Sequence, residues 1–274
     1  MRVIFLLILA FGFSISFGQG FKSATEVGVY GGGSYYIGDL NSTHFKYSKF
    51  SYGGIFRYNL STRHSLRLTA FYGEIYGDDA NSKDPFQLNR NLNFKTNLLE
   101  LAIGFEIDWF KYRINDMKYP ISPYFFYQFA YARINPMTEL DGNEIALQPL
   151  STEGQGTGIP GTKRNQYRLN QFTVPLGIGL KFNLRARIAM SFEYGIRLTF
   201  TDYLDDVSGN YLDADILSAE NGPLAATLAN RSLDGVNTGL NRGNSSTKDW
   251  YAFYGVMLTF KPFKKDICDM RGWR

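Results

Sequence analysis

The sequence predicts an all-β fold: an eight-stranded antiparallel transmembrane β-barrel of the outer-membrane type, with a filled lumen, long extracellular loops and periplasmic termini. Three observations predict it. Apolar and polar residues alternate for ten or more positions in several segments, beyond the ~5–6 residues of an ordinary strand. The polar face of these segments carries charges together with Gly and Ala, which suits a narrow lumen better than a water-facing surface. The connections alternate between short and long, as an even-stranded barrel requires.

Composition removes the competing classes. Aromatic residues make up 16% of the 274, yet mean hydropathy is only -0.23. That aromatic content excludes disorder, and the lack of repeated ~20-residue apolar runs excludes a helical membrane bundle. One Cys excludes a disulfide scaffold and a Cys-rich zinc site, and two His leave little for other metal chemistry. A dispersed net charge of +4 does not argue for nucleic acid. No cofactor, metal or small-molecule substrate is expected.

Taken in order, residues 1–18 read as a cleaved signal peptide. Arg2 gives the positive start, an apolar run follows, and Ser16 and Gly18 are small residues before the cut. Residues 19–262 then form the barrel and 263–274 a periplasmic tail. The strands fall at 25–38, 50–60, 64–76, 94–112, 121–134, 166–183, 186–203 and 249–262. The seventh shows the pattern best: Ile188, Met190, Phe192, Tyr194, Ile196 and Leu198 on one face, Ala189, Ser191, Glu193, Gly195 and Arg197 on the other. A soluble sandwich would bury the apolar face; a membrane barrel turns it to lipid and sends the charges inward. Trp109, Tyr112, Tyr203, Trp250 and Tyr251 lie near strand ends, where interfacial girdles belong.

An eight-stranded barrel is just wide enough for its own side chains. The inward candidates are Arg57, Arg67, Glu100, Glu106, Asp108, Lys181, Glu193 and Arg197. Buried charges of both signs must pair, so an ion network plugging the lumen is expected, and a porin is not. No catalytic constellation appears, so the chain is not read as an enzyme. His44 lies in the first long loop and His64 in a short turn, on opposite membrane faces. The glycine-rich stretch 154–163 resembles a P-loop only superficially, because Thr162 intervenes before Lys163 and no helix follows. Asp202, Asp205 and Asp206 read as a solvated rim rather than a Ca²⁺ site. Cys268, with Lys264, Lys265 and Arg271 around it, is an unpaired thiol in an oxidising compartment, which suggests a periplasmic partner for the tail.

These residues also carry a resemblance. GGGSYYIGDLN (31–41), GGIFRYNL (53–60), RNLNF (90–94), PYFF (123–126), TEGQGT (152–157), VPLGIGLK (174–181) and, most distinctively, EYGIRLTFTDYLDDVSGNY (193–211) resemble the PorG family. These are outer-membrane barrels of the type IX secretion system of Bacteroidota. The resemblance implies association with a periplasmic ring of a PorK-like lipoprotein and a PorN-like protein. The implied role is anchoring of a secretion apparatus, often coupled to gliding motility. Contacts would then fall on the short turns, where Arg63, Lys111, Arg113, Lys118, Arg185 and Arg187 make the face basic, and on the tail. The alternative is a small barrel that binds a ligand or surface partner through the loops 135–165 and 204–248. A hydrolase using His44 is the third class, and it predicts activity lost on His44 substitution.

Overall fold

In the computed structural model, which describes residues 24–114, 118–185, 187–235 and 237–262, alternation along the chain becomes a closed wall. β1 (Ala24–Ile37), β2 (Lys49–Asn59), β3 (His64–Asp78), β4 (Asn93–Asp108) and β5 (Ile121–Arg133) follow one another around the ring. A loop hairpin of β6 (Pro136–Leu140) and β7 (Asn143–Ala146) interrupts them. β8 (Asn170–Arg185), β9 (Ile188–Thr199) and β10 (Trp250–Phe260) complete the wall. All pairs are antiparallel, and β10 pairs with β1 from Trp250↔Ile37 to Phe260↔Val27, which shuts the barrel. The eight expected barrel strands are therefore present, 11 to 16 residues long, against the ~9–11 that a tilted membrane strand needs.

Burial decides between sandwich and membrane barrel. Val29, Leu101, Phe129 and Ile178 on four different strands are 65%, 53%, 54% and 63% exposed, whereas Arg57, Arg67 and Arg197 are at most 1% exposed. A soluble protein has the reverse arrangement. Lipid supplies the missing apolar environment, and the charges find their partners inside the barrel. No helix among the described residues is long and apolar enough to cross a membrane.

Three strand ends fall four residues from expectation, the others within two. β4 stops at Asp108 because the chain turns beneath the barrel: Tyr112 N–H bonds the Thr62 carbonyl (2.8 Å), and Tyr112 and Ile114 bury against Ala189. β8 begins at Asn170, four residues late. β9 stops at Thr199, whose hydroxyl bonds the carbonyls of Thr201 and Asp249 in place of a continuing ladder. The girdle reading is corrected as well. Trp109 is exposed, but Tyr112, Tyr203 and Tyr251 are buried: Tyr112 and Tyr251 turn inward beside Lys181 and Glu100, and Tyr203 stacks on Tyr167 within the long loops.

Small residues on the inner wall have a specific use. The Tyr124 ring lies over Gly179, where an added Cβ would sit 2.3 Å from Tyr124 Cζ; at Gly195 it would sit 2.6 Å from Phe126 Cζ. Glycine lets these rings lie flat on the wall of a narrow lumen. Gly179→Ala is expected to cost about 1–3 kcal/mol by overpacking, lowering the urea midpoint of the micelle-held barrel. Adding Tyr124→Leu should recover part of the loss; a midpoint unmoved by Gly179→Ala alone would contradict the packing.

The long connections are folded. They carry α1 (Pro85–Arg90), capped by the Asp84 side chain on Phe86 N–H and ended by left-handed Asn91, and α2 (Ala214–Asn221) and α3 (Pro223–Ala229). The signal segment 1–18 and the tail 263–274 lie outside the described residues.

Candidate functional site

The inward face of the barrel brings the charged candidates together in two groups. In the larger, Glu106 of β4 is the hub. Arg57 Nε reaches its Oε2 at 3.0 Å and Arg67 Nη1 at 3.2 Å, while Lys181 contacts its Oε1. Lys181 also holds Asp108 (2.9 Å), and Arg67 holds Glu193 through two nitrogens (2.8 and 3.1 Å). Arg67 further stacks its guanidinium over Phe126 at 4.1 Å. In the second group Arg197 pairs with Glu100 (3.2 Å), which also accepts from the Tyr251 hydroxyl (2.8 Å).

Two members escaped the sequence reading. Glu26 of β1 lies 3.7 Å from Arg57 and accepts from Asn59 (2.8 Å). Tyr124 donates its hydroxyl to Glu193 (2.8 Å). Glu26 shares the inward parity of Tyr30 and Ser34 on β1, which was the available signal. Tyr124 was hidden in an aromatic run whose inward and outward members look alike.

Both ends of the lumen are closed. At the short-turn end, Tyr112 fills the mouth with its ring 4.8 Å from the Lys181 ammonium, and the Asn183 side-chain amide bonds the Arg113 carbonyl (3.0 Å). At the long-loop end, the loops form a cap with its own polar centre. Arg242 is buried between Glu153 (3.0 Å), the Asp206 carbonyl (2.6 Å) and the Ala229 carbonyl (3.0 Å). Glu153 also accepts from Ser208 N–H, Gly209 N–H and the Tyr203 hydroxyl. Arg90 of α1 grips Asp79 through two nitrogens (2.7 and 2.8 Å) and bonds the Arg242 and Asp39 carbonyls (both 2.8 Å).

The expected solvated rim is thus corrected: Asp202, Asp205 and Asp206 are buried inside this cap, because the loop around them folds inward over the barrel. Asp205 and Asp249 both contact the Tyr36 hydroxyl (2.6 and 3.0 Å), and Gly38 leaves the room, since a Cβ there would lie 2.0 Å from Asp249 Oδ1. Tyr36 has one proton for two carboxylates, so one carboxyl must supply its own. Burial pushes both Asp205 and Asp249 well above the usual carboxylate range, aided by the charge of Asp39 on the first and of Asp205 on the second. Burial likewise raises Asp206 to about 6, against the opposing pull of Arg242.

The remaining candidates separate. His44 bonds the Tyr35 hydroxyl (2.9 Å) on the outer wall. His64, at the opposite end, meets Ser61 Oγ (3.1 Å), an oxygen already taken by the N–H groups of Arg63 and His64. That is a turn cap. The stretch 154–163 is a loop with left-handed glycines at 154, 156, 158 and 161. Arg113 is exposed at the short-turn end; Arg185 closes β8, and its side chain lies outside the described residues, as do Cys268, Lys264, Lys265 and Arg271. Among the described residues no group of three or more His, Cys, Asp or Glu is placed to hold a metal.

An apolar outer belt, a paired charged lumen and short turns opposite long loops define an integral outer-membrane-type β-barrel of eight strands. A family model matches residues 2–146, and the chain belongs to that family, described as a domain of unknown function (DUF6089). No curated protein matches it. Among solved structures the chain is similar to Ail, the attachment invasion locus protein of Yersinia pestis (7% identity, TM-score 0.42), and to Neisserial surface protein A (9%, 0.43), covering 88% of this chain and 100% of each of those. It is similar too to the outer membrane enzyme PagL, at 12% identity and TM-score 0.32, with the same coverage. The barrel assignment rests on the strand pairing of this chain, not on those likenesses.

Proposed function

We propose that the barrel is a structural anchor that holds a periplasmic protein assembly to the outer membrane. The observation that carries this reading is the lumen, filled by paired charges and closed at both ends. Such a barrel offers no path for a solute, and its inner charges are already committed to one another. With long loops outward and short turns in the periplasm, the usual arrangement of even-stranded barrels, the periplasmic rim presents Arg63, Lys111, Arg113, Lys118 and Arg187. Among the described residues of that end no carboxylate is exposed. A rim rich in basic residues steers and orients an acidic partner.

The resemblance to the PorG family supplies the partner: a ring of PorK-like and PorN-like proteins of a type IX secretion system. The tail, with Cys268, Lys264, Lys265 and Arg271, is the second contact in this reading, and Arg185 belongs to the rim. Tagged protein purified from solubilised outer membranes should bring down the ring proteins. Arg63→Glu with Lys111→Glu and Arg113→Glu should lower that yield at least ~10-fold, the scale of a few lost charge contacts. A reductant-sensitive band absent in Cys268→Ser places the thiol at the contact; recovery of the barrel alone overturns the anchor. The alternative, binding through the long loops, has their folded state in its favour and predicts that deleting 212–240 abolishes function while the tail is dispensable.

A further inference from the structure

High on the outer wall, a groove of about 440 Å³ runs between Leu99 and Leu101 of β4, Tyr131 and Arg133 of β5, and Leu169 and Asn170 at the start of β8. Its lining is apolar except at the upper edge. Arg133 stands in register with Leu99 on one side and Asn170 on the other, on the same outward face as Tyr131. Arg168 lies two residues beyond Asn170 on the neighbouring chain, which Ile134 N–H ties to the Leu169 carbonyl (2.8 Å). Both arginines are exposed, and among the described residues neither is within salt-bridge distance of a carboxylate.

Arg133 at the edge of an apolar trough, with the exposed Arg168 two residues before the lining Asn170, reproduces in reverse sign the layout of a phosphorylated lipid: charge at the headgroup level, hydrocarbon beneath. Guanidinium groups match phosphate bidentately, and they do so most strongly where water is scarce. The trough does not end at Leu101. A second depression of about 600 Å³, over the outward Gly54 and Ala70, shares Leu101 as a wall and reaches Ile103. From Leu99 to Ile103 the track is about 13 Å long at ~3.3 Å per residue, roughly half of the ~25 Å apolar band of such barrels.

We propose that this groove is a binding site for one phosphorylated, multiply acylated glycolipid of the outer leaflet, of the lipid A class. Its phosphate rests on Arg133 and Arg168, and an acyl chain lies over Leu99 and Leu101 toward the dent at Gly54 and Ala70. The assignment rests on the orientation proposed above, with the long loops outward.

The test uses the full-length mature chain in detergent, incubated with diphosphoryl lipid A or with the same lipid stripped of phosphate, and weighed by native mass spectrometry. One phosphorylated lipid should be retained at least ~10-fold better than the stripped form, the factor expected for a charge-assisted pair. Arg133→Gln with Arg168→Gln should reduce that preference to within ~2-fold while the barrel keeps its heat-modifiable gel mobility. Leu101→Trp, which fills the trough, should lower retention of both lipids. Excess inorganic phosphate should fail to displace the lipid, which separates a lipid site from a bare anion site. Equal retention of the two lipids, an unchanged preference in the double variant, or displacement by phosphate overturns the proposal. A preference for phosphatidylglycerol over lipid A overturns it too, by inverting the orientation. Failure of ring co-purification leaves this measurement untouched, because the barrel is weighed alone.

Discussion

Arg67→Met is expected to destabilise the barrel by about 3–5 kcal/mol, the cost of orphaning a buried carboxylate. Arg67 is the bridge between Glu106 and Glu193, and it is fully buried. Without it, Glu106 keeps Arg57 and Lys181, but among the described residues Glu193 keeps only the Tyr124 hydroxyl. The loss should therefore come mainly from Glu193. Adding Glu193→Gln to Arg67→Met removes that uncompensated charge, so the double variant should be more stable than the single one. Urea unfolding in lipid vesicles, read by heat-modifiable mobility, checks both. If the second substitution deepens the loss, Glu193 is satisfied by something other than Arg67. Arg67→Lys should fall between, because an ammonium cannot reproduce the two-nitrogen grip or the stacking on Phe126.

Arg242→Ala should open the cap while leaving the barrel wall intact. Arg242 joins Glu153, the Asp206 carbonyl and the Ala229 carbonyl, and its own carbonyl receives Arg90. The local cost is again about 3–5 kcal/mol, seen as faster amide exchange and protease cleavage within 200–249 at an unchanged wall. The effect has a pH sign. Asp206, raised to about 6, binds more protons folded than unfolded, so its contribution is complete below the ordinary Asp range and is lost as pH rises to about 6. Asp205 and Asp249, raised by burial, act in the same direction. Cap amides should then be better protected at pH 5 than at pH 8, after correction for intrinsic exchange. The Arg242→Ala deficit should also be larger at pH 8, where Asp206 carries a charge with no buried cation beside it. Protection that rises with pH would contradict this account.

How legible all this was depended on whether a residue sits in a periodic segment. The wall was readable because period-two alternation fixes which side faces lipid, so Arg57, Arg67, Glu193 and Arg197 declared their direction by position alone. The same rule reaches Glu26, but β1 is interrupted by Gly28 and Gly31 to Gly33, which blur its apolar face. The cap has no period. Glu153, Arg242, Arg90 and Asp79 come from separate loops and meet only after the chain has folded, so neither spacing nor composition brings them together. Asp205 and Asp206 looked like rim residues for that reason. The aromatic assignments failed where a strand end turns inward: Tyr112, Tyr203 and Tyr251 share composition with interfacial residues but are buried inside the barrel or its loops instead.

The lumen network also constrains the order of events during biogenesis. Glu106 belongs to β4, yet its three cations come from β2, β3 and β8, and Glu193 arrives on β9. Only the β1–β2 hairpin pairs its own inward charges, Glu26 with Arg57; no other hairpin is electrically self-sufficient. Any other strand pair entering hydrocarbon by itself would carry bare charges at a cost of several kcal/mol each. Insertion strand by strand is thereby disfavoured, and the chain must curl its charged face away from lipid, still hydrated, before it is immersed. Water then leaves last, when β10 meets β1 and Thr259 comes within reach of Glu26 (3.3 Å). That seam is the step at which a wet, open intermediate becomes a dry, permanent one.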